Sequence, residues 1–111
     1  MASFDSYTEA KRSITEEDIA YISKCIGDNW EFLGIHMGLK TIEIQQLKQD
    51  IPLATRKQIS AMLARWKQIE KENATLEKLF ELLEKSECSV SWDSLQKKYG
   101  PISKSKTFFT L

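Results

Sequence analysis

Two apolar runs at helical spacing, joined by a short polar segment, constrain the fold of this chain more than any other feature. Ile59, Met62, Leu63 and Trp66 fall at i, i+3, i+4 and i+7, and Leu76, Leu79, Phe80 and Leu83 repeat the pattern. Such a stripe lies along one side of a helix and has to be covered, so both helices pack onto a shared interior. The joint, Glu70-Lys71-Glu72-Asn73-Ala74-Thr75, is densely charged and faces water. Nothing in the run supplies catalytic chemistry. A packed interior under a charged exterior points to a protein that works by its surface.

The rest of the chain reads the same way. Thr15 is a good N-cap with Asp18 at the reciprocal capping-box position, and Ile14 and Ile19 form a hydrophobic staple. The first helix then buries Ile19, Ile22 and Ile26 and ends at Gly27. A second helix spans about 30–37, capped by Asp28 or Asn29, with Trp30, Leu33 and Met37 inward and Gly38 as a left-handed stop. The third covers about 42–50, burying Ile44, Leu47 and Ile51, and Pro52 forbids its continuation. The fourth starts at Thr55, with Gln58 completing a capping box, and reaches about Lys71. The fifth covers about 74–85, capped by Asn73 or Thr75, and the sixth about 90–99, with Trp92, Leu95 and Tyr99 on one face. Six short antiparallel helices with short links give an all-α bundle over 13–100, between an N-terminal extension (1–12) and a C-terminal tail (101–111).

Composition narrows the function. At 111 residues the chain is one domain that buries a sufficient core without disulfide or metal. Sixteen basic and sixteen acidic residues cancel, which argues against a nucleic-acid binder, since those carry an excess of Lys and Arg on one face. No apolar run is long enough to span a membrane, and the polar Met1–Thr8 segment is not a signal peptide, so a cytoplasmic location is expected. Cys25 and Cys88 read as free thiols in a reducing compartment, with a single structural disulfide as the alternative.

Catalysis fails on inventory. His36 is the one histidine and has no nucleophile or metal-ligand spacing around it, so no cofactor or metal is expected and the chain reads as a non-enzyme. Trp30 and Trp66 belong to buried stripes, whereas Trp92 opens a helix where a partly exposed ring serves as a contact anchor. Phe32 and Ile35 lie off the inward face of the second helix, either as single surface residues or as a protein-binding patch.

The order Trp30-x-x-Leu33-Gly34-x-x-Met37-Gly38-Leu39, Ile44-x-x-Leu47, Met62-Leu63-x-x-Trp66 and Asn73-Ala74-Thr75-Leu76-x-x-Leu79 resembles that of the death domains, over roughly residues 13–99. The stretch from Trp66 to Thr75 is most similar to the adaptor branch of that family, with receptor-interacting kinases and TNF-type receptors next. The resemblance implies a six-helix Greek-key death fold without catalytic activity. It implies partners that are other death-domain proteins, possible self-association, and no nucleic acid or membrane insertion.

The family resemblance also implies three asymmetric contacts. The first sets Glu31 and Ile35 of the second helix against Asp18, Arg56 and Lys57 of a neighbour. The second sets Lys67, Glu70, Lys71 and Glu72 against Glu87 and Asp93. The third sets Glu43 and Gln46 against Asp28, Asn29 and Asp50. Helix two reads Glu31-Phe32-Leu33-Gly34-Ile35-His36 where the nearest adaptor is rich in arginine, and predicts a partner with a matching apolar patch. The expected function is an adaptor module in apoptotic or innate-immune signalling. The alternative is a regulatory oligomerisation domain within a larger receptor or kinase, and the chain is either a lone domain or an excised piece.

Overall fold

Thr15 opens the first helix as its side chain predicts. Its hydroxyl accepts the Asp18 N–H at 3.2 Å, and the Asp18 carboxylate accepts the Thr15 N–H at 2.8 Å. The computed structural model describes residues 11–100, so most of the expected N-terminal extension and all of the C-terminal tail lie outside the described residues. Helix α1 spans Glu16–Cys25. It stops short of Gly27 because Ile26 turns extended and forms an isolated antiparallel bridge with Val90. Ile26 stays buried, but as part of that bridge and not of the helical stripe.

Helix α2, Trp30–His36, follows Asn29, whose backbone is left-handed (φ 67°) and whose side chain makes no capping bond. Its far end is a Schellman closure. Gly38 sits at φ 93°, its N–H reaches the Ile35 carbonyl, and the Leu39 N–H reaches the Gly34 carbonyl, each at 3.0 Å. Leu39 is thereby folded back into the core. Helix α3 spans Thr41–Asp50 and buries Ile44, with Leu47 and Ile51 half-buried.

Helix α4, Thr55–Glu70, is the longest. The capping box expected from Thr55 and Gln58 does not form: Ala54 holds the cap position. Gln58 is buried instead, and its amide donates to the Ile51 carbonyl at 2.7 Å. A carbonyl left over at the end of α3 in a half-buried corner needs such a donor, which outweighs a local cap. A 3-10 turn, Lys71–Asn73, leads to α5, Leu76–Ser86, with Thr75 accepting the Lys78 N–H as N-cap. Helix α6, Trp92–Tyr99, begins two residues later than its sequence suggests, because the bridge to Ile26 holds Val90 extended.

Helix α1 packs on α4 and α6, α2 on α5 and α3, and α3 on α4. Pairing of helices three apart in the chain is the crossed connectivity of a Greek-key bundle. Both opening stripes are wholly interior, with Ile59, Met62, Leu63, Trp66, Leu76, Leu79, Phe80 and Leu83 all in the core. Small residues let the helices approach. Ser23 and Ser60 share a 2.9 Å hydrogen bond between α1 and α4, and a Cβ on Gly34 would lie only 2.9 Å from Ile44 Cδ1. Among the described residues no buried side-chain polar atom lacks a partner, and Cys25 and Cys88 are both free thiols.

Residues just before α1 are hydrogen-bonded into the bundle. Arg12 accepts the Leu76 N–H on its carbonyl, Ile14 donates to the Ala74 carbonyl, and an isolated bridge pairs Ser13 with Thr75. The segment before α1 is therefore strapped across the α4–α5 connection.

Candidate interaction surfaces

Charge in this chain is either spent inside the molecule or left open at its surface, and the hydrogen bonds sort one from the other. Asp18 is the clearest case of the first kind. It was expected on the neighbour-facing side of the first contact, yet it is 2% exposed. The Arg12 guanidinium donates to both its oxygens at 2.6 and 3.1 Å, and the Tyr99 hydroxyl donates at 2.8 Å. Burial pushes the Asp18 carboxyl upward, but the bonds from Arg12, the Thr15 backbone, Tyr99 and the Thr15 hydroxyl outweigh it and hold it at about 2. Tyr99 is raised far above the ordinary phenol range by burial and by that same carboxylate. Asp18 thus binds α1, α6 and the N-terminal strap together and offers nothing to a partner.

The remaining first-contact residues divide. Glu31 is half-buried and paired with Lys48 at 2.6 Å; burial raises its pKa, but the Lys48 bond and charge lower it overall. Ile35 is 46% exposed beside Phe32 at 53%, one turn apart on the same side of α2. Arg56 and Lys57 are exposed in the first turn of α4. Arg56 shares a shallow cleft with Glu17, Ala20, Tyr21, Lys24 and Lys98. The sequence reading missed Tyr21, Lys24 and Lys98, because only the docking of α6 on α1 brings Lys98 over the Tyr21 ring.

The second-contact residues lie at two separate places. On one side Lys71 and Glu72 are exposed in the 3-10 turn, with Lys67 and Glu70 half-buried in the last turn of α4. Lys67 comes within 3.9 Å of Glu16. Lys71 has φ 56° and ψ −126°, a region that side-chain-bearing residues rarely adopt. Ser13 steadies the turn by donating to the Glu72 carbonyl at 3.2 Å. On the other side Glu87 is exposed at φ 62°, closing α5, and Asp93 is exposed in the first turn of α6.

Third-contact residues are largely committed within α3 and its neighbour. Glu43 accepts the Lys40 N–H at 2.8 Å and pairs with Arg65 at 3.0 Å, both of which lower its pKa. Gln46 donates to Asp50 at 3.0 Å. Asp28 and Asn29 are exposed, and the Asp28 carbonyl accepts the Ser89 N–H at 2.9 Å, stitching this loop to the α5–α6 connection. Glu43 would meet two further acids across such a contact.

The thiols are not poised for chemistry, since burial pushes both Cys25 and Cys88 upward. Among the described residues no group of three or more His, Cys, Asp or Glu could hold a metal ion, and no helix is long and apolar enough to cross a membrane.

The sequence matches the family model of the death domain over residues 16–99. No individual curated protein matches the chain. The match spans all six helices and most of the chain: this protein belongs to the death-domain family, a family of non-catalytic protein-interaction modules.

Proposed function

We propose that this domain is a cytoplasmic adaptor module that associates with other death domains, and with copies of itself, in apoptotic or innate-immune signalling. The observation that supports this reading, beside the family match, is that two exposed residues at positive φ carry opposite charges. Lys71 and Glu87 both stand at positive φ, where glycine costs less, yet each presents a charged side chain to solvent. Strain of that kind gathers at functional sites, although Asn29 and Leu53 also stand at positive φ. Lys71 with Lys67 on one copy, against Glu87 with Asp93 on the next, makes a contact between unlike patches. Such a contact does not close on itself and extends into an open assembly. Each exposed pair is weak, so the assembly depends on many copies.

The adaptor assignment rests on the stretch from Trp66 to Thr75, which resembles the death domain of the Fas-associated adaptor. The exposed Phe32 and Ile35 on α2 favour a receptor partner different from that adaptor's, with an apolar patch of its own.

Sedimentation velocity tests the contact. Lys71→Glu and Glu87→Lys should each abolish self-association while circular dichroism stays unchanged. An equimolar mixture of the two variants should regain an assembly in which they alternate, because one then offers acid and the other cation at both patches. Unaltered association of the single variants, or no recovery in the mixture, would refute the assignment.

A further inference from the structure

Three backbone groups of the α4–α5 connection are held by the segment before α1. The Ile14 N–H donates to the Ala74 carbonyl at 2.8 Å, and the Leu76 N–H donates to the Arg12 carbonyl at 3.2 Å. Between them the Ser13 hydroxyl donates to the Glu72 carbonyl at 3.2 Å, across 59 residues of chain. The strap that makes these bonds is fixed on both sides of Ser13. Ile14 belongs to the core, and the Arg12 guanidinium is held by the buried Asp18 carboxylate at 2.6 and 3.1 Å. The turn is less firmly held. Lys71 stands at φ 56° and ψ −126°, and its own groups are bonded only locally, its N–H to the Lys67 carbonyl and its carbonyl to the Ala74 N–H. A backbone in so sparsely populated a region persists only where its surroundings over-determine it.

We propose that Ser13 and the Glu72 carbonyl form a latch that switches the Lys71 turn between a binding and a relaxed conformation. Closed, the latch holds Lys71 where the second contact uses it. Open, the turn relaxes to ordinary dihedrals and the contact is lost. The proposal rests on the interaction-module reading above and adds its control. Ser13 is a positioning residue: it meets no partner itself, and it acts through the turn. The latch is the link that can open, because Ser13 is half-exposed and Glu72 exposed, so water competes for both of its ends. The two backbone bonds of the strap flank it and are backed by buried Ile14 and Ala74. Strain at one residue and one neutral hydrogen bond are of similar size and opposite sign here. The two states therefore lie close enough in energy to exchange, and the apparent affinity of the contact scales with the closed fraction.

Amide hydrogen exchange and sedimentation velocity on the full chain test the latch, with Ser13→Ala and Ser13→Thr as variants. Ser13→Ala deletes one hydroxyl and leaves both backbone bonds of the strap in place. The Ala74 and Thr75 amides, whose acceptors are the Lys71 and Asn73 carbonyls, should exchange roughly threefold to tenfold faster. The Leu76 amide, bonded to Arg12, should exchange as before. Self-association should weaken by a similar factor although no charged residue has changed, and Ser13→Thr, which keeps the hydroxyl, should restore both readouts. Faster exchange at every amide alike would mark a general loss of stability and overturn the proposal. Unchanged exchange, unchanged association or failure of Ser13→Thr to rescue would also overturn it. Normal assembly of Ser13→Ala beside lost assembly of Lys71→Glu refutes the latch alone. Normal assembly of Lys71→Glu refutes the contact, and the Ala74 and Thr75 amides then still decide whether the latch holds the turn.

Discussion

The Tyr99 hydroxyl donates a 2.8 Å hydrogen bond to the carboxylate of Asp18, so the last residue of α6 is fastened to the first turn of α1. Arg12 grips the same carboxylate from the opposite end of the chain. Because the acceptor is buried and charged, removing a donor leaves it undersatisfied. Tyr99→Phe should cost about 1 kcal/mol and Arg12→Met about 2–3 kcal/mol in urea unfolding. The two effects should not add, since both act through Asp18, and a double-mutant cycle will read the coupling.

Acid should loosen the same node. Asp18 titrates at about 2 in the folded chain against an ordinary 3.8, so its charged form favours folding. That contribution is complete above about pH 4 and fades as pH falls toward the folded value, amounting to about 2 kcal/mol. Urea midpoints measured between neutral and acidic pH should show the loss, and Asp18→Asn, weaker at neutral pH, should lack this part of the slope. Tyr99 behaves oppositely. Its raised value means that its contribution is present below the ordinary tyrosine range and lost above it, so a second decline is expected in alkali.

Gly38 isolates a purely conformational effect. A Cβ there would meet nothing within 4 Å, but φ is 93°. Gly38→Ala should therefore cost about 1 kcal/mol through the backbone alone, read as a lower thermal midpoint with no change in the spectrum of the folded state.

Lys71 should behave as the converse. Replacing it with glycine removes the penalty of φ 56° and should raise stability by about 1 kcal/mol. The same Lys71→Gly change should weaken self-association in sedimentation, because the contact loses its cation. A variant that is both more stable and less associated would show that the strain is retained for binding.

How far the sequence could be read depended on the range of the interaction involved. Thr15 with Asp18 and Gly38 with Leu39 were legible because cap and stop are made by residues a few positions apart. The apolar stripes were legible for the same reason, and every member of the two opening runs is interior. The ends of α1 and the start of α6 were not, since the bridge between Ile26 and Val90 overrides the local signals at Gly27 and Val90. Gln58 looked like a capping residue until the end of α3 supplied a stronger claim on its amide. Asp18 looked exposed because a capping acid usually is; its burial depends on Arg12, taken as part of an extension, and on Tyr99 at the far end. The placement of Lys98 over the Tyr21 ring was invisible for the same reason, as the two come together only when α6 docks on α1.

The node at Asp18 also decides how this module can be mounted. Arg12 and Tyr99 meet at one carboxylate, so the polypeptide enters and leaves the bundle at a single corner. Anything fused before Lys11 or after Gly100 hangs from that corner, whatever its size. The entering segment runs along the α4–α5 connection, where Ser13 pairs with Thr75. In the assembly proposed above, every copy would present its cargo from that one corner.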